Sequence, residues 1–164
     1  MVGNKMTRSA VGVIAVAGAL ALAGPFSLAA ASSGVSKALQ QRFVAINAPI
    51  AKQGAIWAAV TQASQSSPWA QAHPKLDKIG PPYAAALQTF DNRLAALRLP
   101  GKAGVDAVAV IKDDKQFIAL LSALPKMTKS QFVSAYSAIV TKEVPLALTF
   151  NKDLGLPVAS SYGW

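Results

Sequence analysis

The side chains that could do acid–base or metal chemistry are few: Asp77, Asp91, Asp106, Asp113, Asp114, Glu143, Asp153 and a single histidine, His73. The adjacent pair Asp113 and Asp114 is the most suggestive. Paired carboxylates run acid–base steps or hold a divalent cation, but both uses need further His, Asp or Glu converging on them. No Glu-x-x-His or comparable metal spacing accompanies the pair. Neighbouring residues on a helix also point about 100° apart. Lys112, Asp113, Asp114 and Lys115 therefore read as the solvated face of a helix or a local helix break, and Asp91 as part of another solvated face. The expectation is no catalytic residue and no metal site.

Other chemistries fare no better. The chain has no cysteine, which excludes disulfides, thiolate metal sites, cysteine nucleophiles and an N-terminal lipidated cysteine. There is no Gly-x-Ser-x-Gly elbow, no glycine-rich phosphate loop and no zinc spacing. A serine triad would have to use His73, which lies among prolines with no orienting acid indicated. A sharper use of His73 is ligand binding. With Trp69 and Tyr83 close in sequence, it could grip a porphyrin, although a solvated loop histidine is the plainer reading of a lone His. The sequence thus predicts a non-enzymatic protein with no required cofactor. Trp69, His73 and Tyr83 are its candidate ligand-binding residues.

The N-terminus predicts a destination. Lys5 and Arg8 precede 13 apolar residues, Val11 to Ala23, then Gly24, Pro25 and the small-residue run Ser27 to Ser33. That is the layout of a secretory signal peptide cleaved after Ala31. An uncleaved anchor would need about 20 uninterrupted apolar residues. The expected domains are residues 1–31, the signal peptide, and 32–164, the mature domain. Loss of Lys5 and Arg8 leaves 14 Lys/Arg against 7 Asp/Glu, a net charge of +7.

The mature chain reads as helices. Leu39, Phe43, Ile46, Ile50, Trp57 and Val60 form one helical stripe that keeps phase across Pro49. Residues 65–82, with Pro68, Pro74, Gly80, Pro81 and Pro82, read as a long loop. Pro81 or Pro82 would open a second helix, carrying Tyr83, Leu87, Phe90, Leu94 and Leu97 to a stop at Pro100–Gly101. A third helix carries Val110, Phe117, Leu121 and Leu124. The fourth opens on a capping box, Thr128 and Gln131, and carries Phe132, Tyr136, Ile139, Leu146 and Phe150 past Pro145. Leu154–Pro157 stops it, and the tail to Trp164 is unstructured in this reading. Four helices with short links make an all-α, up-down four-helix bundle with two proline-kinked helices.

From "LAALRLPGKAGVDAVAVI" to "NKDLGLPVA" the chain resembles a group of small secreted helical proteins of actinobacteria. The shared features are a Leu-x-x-Leu segment followed by proline, an Asp-containing turn at Asp106, and an Asp-Leu-Gly-Leu-Pro ending, Asp153 to Pro157. The resemblance spans about Phe90 to Ala159 and implies a secreted helical domain, with no catalytic residues to transfer.

Two functions follow as expectations. The first is a secreted binding or interaction protein of the cell envelope or extracellular space, its partners anionic envelope polymers or lipid headgroups. The second is an extracellular carrier of haem or another small apolar ligand. Nucleic acid is a poor partner, since the basic residues are scattered singly and the chain leaves the cytoplasm. No transmembrane segment is expected in the mature chain.

Overall fold

The computed structural model describes residues 34–156, so the expected signal peptide and cleavage site and the C-terminal tail lie outside the described residues. Four helices follow one another: α1 Lys37–Ser64, α2 Trp69–Leu97, α3 Gly101–Ala123 and α4 Lys129–Asp153, with a 3-10 turn at Leu124–Lys126. There is no strand among the described residues. The architecture is the all-α four-helix bundle that the stripes and short links imply.

The packing pairs show the up-down order. Phe43, early in α1, meets Phe90, late in α2, and Trp57, later in α1, meets Tyr83, midway along α2. Phe117 of α3 meets Tyr83 of α2 and Tyr136 of α4. The circuit closes where the Gln40 side chain, near the start of α1, donates to the Leu154 carbonyl after α4 at 2.8 Å. Aromatic rings fill the centre, with Trp57, Tyr136, Phe43, Phe90 and Phe150 fully buried. Edge-to-face pairs such as Phe43–Phe150, 5.2 Å apart, suit the ring quadrupoles.

Local signals set the ends. Ser36 caps α1 by accepting from Leu39 N. At the start of α4, Thr128 N donates to Gln131 Oε1 at 2.9 Å and Gln131 N donates to Thr128 Oγ1 at 3.3 Å. The capping box of the sequence is therefore formed. Between α2 and α3, Arg98 and Gly101 take left-handed backbone, and Gly104 lies against the Leu99 carbonyl so closely that a Cβ would stand 2.3 Å from it.

The largest departure from the sequence reading is residues 65–82. They are not a loop: only Gln65–Pro68 lies outside helix, and α2 runs unbroken from Trp69 through Pro74, Pro81 and Pro82. The stripe that begins at Tyr83 extends backwards in phase through Gly80, Leu76 and Ala72, all buried. The prolines escape the usual penalty by position. Pro74, Pro81 and Pro82, like Pro49 in α1 and Pro145 in α4, are all exposed. A helical proline strips a hydrogen bond from the carbonyl one turn back. On the outer face water replaces that donor, and a bundle helix bends convex toward solvent. Prolines thus sit inside three helices, where the sequence suggested two.

Candidate functional site

The second departure concerns charge. Asp91, Asp113 and Asp114 are not on a solvated face; their exposures are 6%, 7% and 8%. Asp77, Asp106, Glu143 and Asp153 are half-buried. Not one of the seven carboxylates is exposed, whereas every Lys and Arg of the described residues is, fourteen in all. The positive surface expected from composition is therefore purer than the net charge suggests. Each helix contributes three cations: Lys37, Arg42 and Lys52 on α1, Lys75, Lys78 and Arg93 on α2, Lys102, Lys112 and Lys115 on α3, and Lys129, Lys142 and Lys152 on α4.

Four of the inward acids gather at one level of the bundle. Asp113, Asp114 and Glu143 line a cleft whose walls come from all four helices, with Ile50, Leu87 and Leu146 among its apolar lining. Asp91 sits behind, paired with Asp114. The cleft is open to solvent, with room for about two waters; counted with its mouth, its empty space is about 480 Å³. It lies along the α1–α4 seam, where the two backbones stand further apart than the sequential helix pairs do. Pro49, Pro82 and Pro145 are each within two residues of a lining residue.

Burial governs these acids. Loss of hydration raises the carboxyl pKa of Asp91, Asp113 and Asp114, most strongly for Asp114, which also feels the neighbouring charges of Asp91, Glu143 and Asp113. Glu143 is pushed up to about 7, first by burial and then by Asp113. Lys115 offsets Asp91 and Lys142 offsets Asp113. Asp91 Oδ1 and Asp114 Oδ2 are shielded acceptors without a donor, and the two groups satisfy one another only by sharing a proton. Glu143 Oε2 is likewise shielded and has no hydrogen-bond partner. Among the described residues no group of three or more His, Cys, Asp or Glu is placed to hold a metal ion.

A second, apolar groove opens at the other end of the same seam. Trp69, Leu76, Phe132 and Val133 line it, together with Thr61 and Lys129. It too is open to solvent, and counted with its mouth its empty space is about 410 Å³.

The three residues singled out as ligand-binding do not form one site. Trp69 and His73 meet, stacked with ring centres 4.8 Å apart. Both are tied to the 3-10 turn and its flank: His73 Nε2 donates to the Leu124 carbonyl at 2.8 Å, and Trp69 Nε1 to the Met127 carbonyl at 3.2 Å. Tyr83 lies ten residues further along α2, about 15 Å at helical rise. It is buried against Trp57 and Phe117 and lines the acidic cleft instead. What the sequence reading missed is the acid quartet. Its signal was present: Asp114 is three residues before Phe117 and four after Val110, on the apolar stripe itself.

Helix α1 is long and apolar enough to cross a membrane by length and composition, yet it also supplies Phe43 and Trp57 to the bundle core. The chain matches no known family model, no curated protein and no solved structure.

Proposed function

We propose that this is a secreted, non-enzymatic binding protein that associates with anionic polymers or lipid headgroups of the cell envelope. The observation that carries the reading is the charge segregation. Fourteen exposed cations stand against no exposed carboxylate among the described residues. An ordinary soluble surface interleaves both signs. Here the acids that reach the surface at all, Asp77, Asp106, Glu143 and Asp153, are half-buried, while every cation is exposed. The cations are spread three to a helix rather than gathered in one tract, which suits a diffuse polymer or headgroup layer better than a single shaped partner. Each basic residue near an anionic membrane contributes about 1 kcal/mol, and screening limits its reach to about 8 Å at physiological salt. Binding is therefore additive, weak per contact and salt-sensitive.

Fractionation of secreting cells at low and high salt tests this. The protein, beginning near Ser32, should sediment with envelope material at low salt and be released at high salt. Recovery in the medium at low salt would sink the proposal, leaving the charge as a solubility device.

The second reading, a carrier of haem or another small apolar molecule, is favoured by one feature, the groove under Trp69. The surface that its lining presents is almost wholly apolar. An absorbance titration with haem distinguishes it: a Soret shift lost in Trp69→Ala supports the carrier.

A further inference from the structure

Large apolar side chains that reach solvent are few among the described residues, and two of them stand together. Val105 and Val108 on α3 are 70% and 68% exposed, against 41% for Ile56 on α1 and 37% for Val133 on α4. Three residues apart, they are neighbours on one helix face. A single exposed apolar residue needs no explanation, but this pair keeps a joined apolar surface in water at a cost. The bundle does not use it: Val110, Phe117 and Leu121 fill the core face of α3, and the pair points the other way.

The same face is cationic. Lys112 follows Val108 by four residues and Lys115 by seven. At 3.6 residues per turn, Val105, Val108, Lys112 and Lys115 all fall within about 80° of one another around the axis. Lys102 adds a third cation one turn before Val105. All three lysines are exposed, and they span about 20 Å of helix. The acids of α3 have left this face: Asp113 and Asp114 are buried, and Asp106 is half-buried beside Asp153 of α4.

We propose that the outer face of α3 seats the protein on an anionic lipid bilayer, with Val105 and Val108 below the headgroups and Lys102, Lys112 and Lys115 among the phosphates. The proposal rests on the envelope reading and chooses within it. An anionic polymer satisfies the lysines but offers the valines nothing apolar, whereas a bilayer surface offers both at once. A second copy of the chain offers apolar contact, but among its described residues it presents no exposed carboxylate, so the lysines would face like charge. Lysine stems lie along the apolar layer while their ammonium groups stay at the phosphates. Two valines make a shallow, reversible seat. The core face of α3 stays in the bundle, so association needs no unfolding.

The test is co-sedimentation of the secreted protein with phosphatidylcholine vesicles, with vesicles that also contain phosphatidylglycerol, and with beads carrying polyphosphate. At low salt the wild type should bind the anionic vesicles and the beads, and leave the neutral vesicles. Val105→Ser with Val108→Ser should bind the anionic vesicles about tenfold more weakly and the beads as before. Lys112→Gln with Lys115→Gln should lose about tenfold or more on both. Both valines are exposed, so their replacement should leave the melt unchanged. A second readout leaves Val105 in place. The chain has no cysteine, so an environment-sensitive dye can be attached at Val108→Cys, or at Ala55→Cys on the exposed side of α1, the helix diagonal to α3. On anionic vesicles its emission should shift to the blue at position 108 and not at position 55. Undiminished vesicle binding by the valine variant, or equal shifts at the two positions, would overturn the seat and leave the envelope reading standing. Binding to beads but not to anionic vesicles would overturn it in favour of a polymer. Self-association without lipid that the valine variant loses would overturn it in favour of a second copy. Retention on neither beads nor vesicles at low salt would sink the envelope reading as well.

Discussion

Replacing Glu143 by Gln should stabilise the protein in weak base and do almost nothing in weak acid. Burial holds the Glu143 carboxyl at about 7 against 4.5 for a free one. A carboxyl raised in the folded state contributes stability below the unfolded value, and that contribution is lost as pH climbs through the folded one. The window is therefore about pH 4.5 to 7. At 1.36 kcal/mol per unit, with allowance for the half-exposed residue, the wild type should lose on the order of 2–3 kcal/mol between pH 5 and pH 8.5. Glu143→Gln has no proton to lose and should keep that stability. In a bundle of this size the difference is on the order of 10 °C in melting temperature. Repulsion among the exposed lysines grows in acid as the carboxylates neutralise, but it is screened beyond about 8 Å and should not reverse the trend. Thermal melts followed by circular dichroism at the two pH values suffice. A wild type that melts higher at pH 8.5 than at pH 5, or a variant with the wild-type pH slope, would refute the reasoning. Asp91, Asp106, Asp113 and Asp114 are raised in the same direction, so the variant should flatten the pH profile without abolishing it.

Two further predictions test the frame around the cleft. Leu94 is 1% exposed on the α2 stripe; Leu94→Asp buries an unpaired charge and should cost on the order of 4 kcal/mol, enough to abolish a cooperative melt. At Gly104 an added Cβ meets the Leu99 carbonyl at 2.3 Å. Backbone on one side and helix on the other leave nothing soft to move, so Gly104→Ala should lower stability by about 2 kcal/mol or more, despite alanine's better helix propensity.

The bundle was legible because its apolar periodicity is strong. All of Tyr83, Leu87, Phe90, Leu94 and Leu97 point inward as their spacing requires, and Thr128 with Gln131 forms the box their types announce. The start of α2 was not legible, for a physical reason. Proline's cost depends on whether the carbonyl it orphans can reach water, and sequence does not say which face a proline occupies until the stripe has been assigned. Reading Ala72, Leu76 and Gly80 as the backward continuation of the Tyr83 stripe would have put Pro74, Pro81 and Pro82 outside and removed the objection. The cleft failed differently. Asp113 and Asp114 were judged by residue type, which favours solvent, rather than by phase, which places Asp114 between Val110 and Phe117. The candidate trio of Trp69, His73 and Tyr83 assumed that a loop gathers what is near in sequence. A helix instead carries Tyr83 away to a separate part of the bundle.

The inward acids and the outward lysines belong to one balance. Moving a carboxylate from surface to interior raises surface charge as effectively as adding a lysine, and at +9 the chain already carries a large charge for its size. Solubility alone would be served by placing the seven acids outside among the lysines, where each avoids a desolvation penalty. Four of them instead lie at one level of the bundle, three lining the cleft and Asp91 behind, with prolines flanking it on three helices. The acids are thereby withdrawn from the lysine-bearing faces, and the envelope proposal rests on that separation rather than on net charge alone.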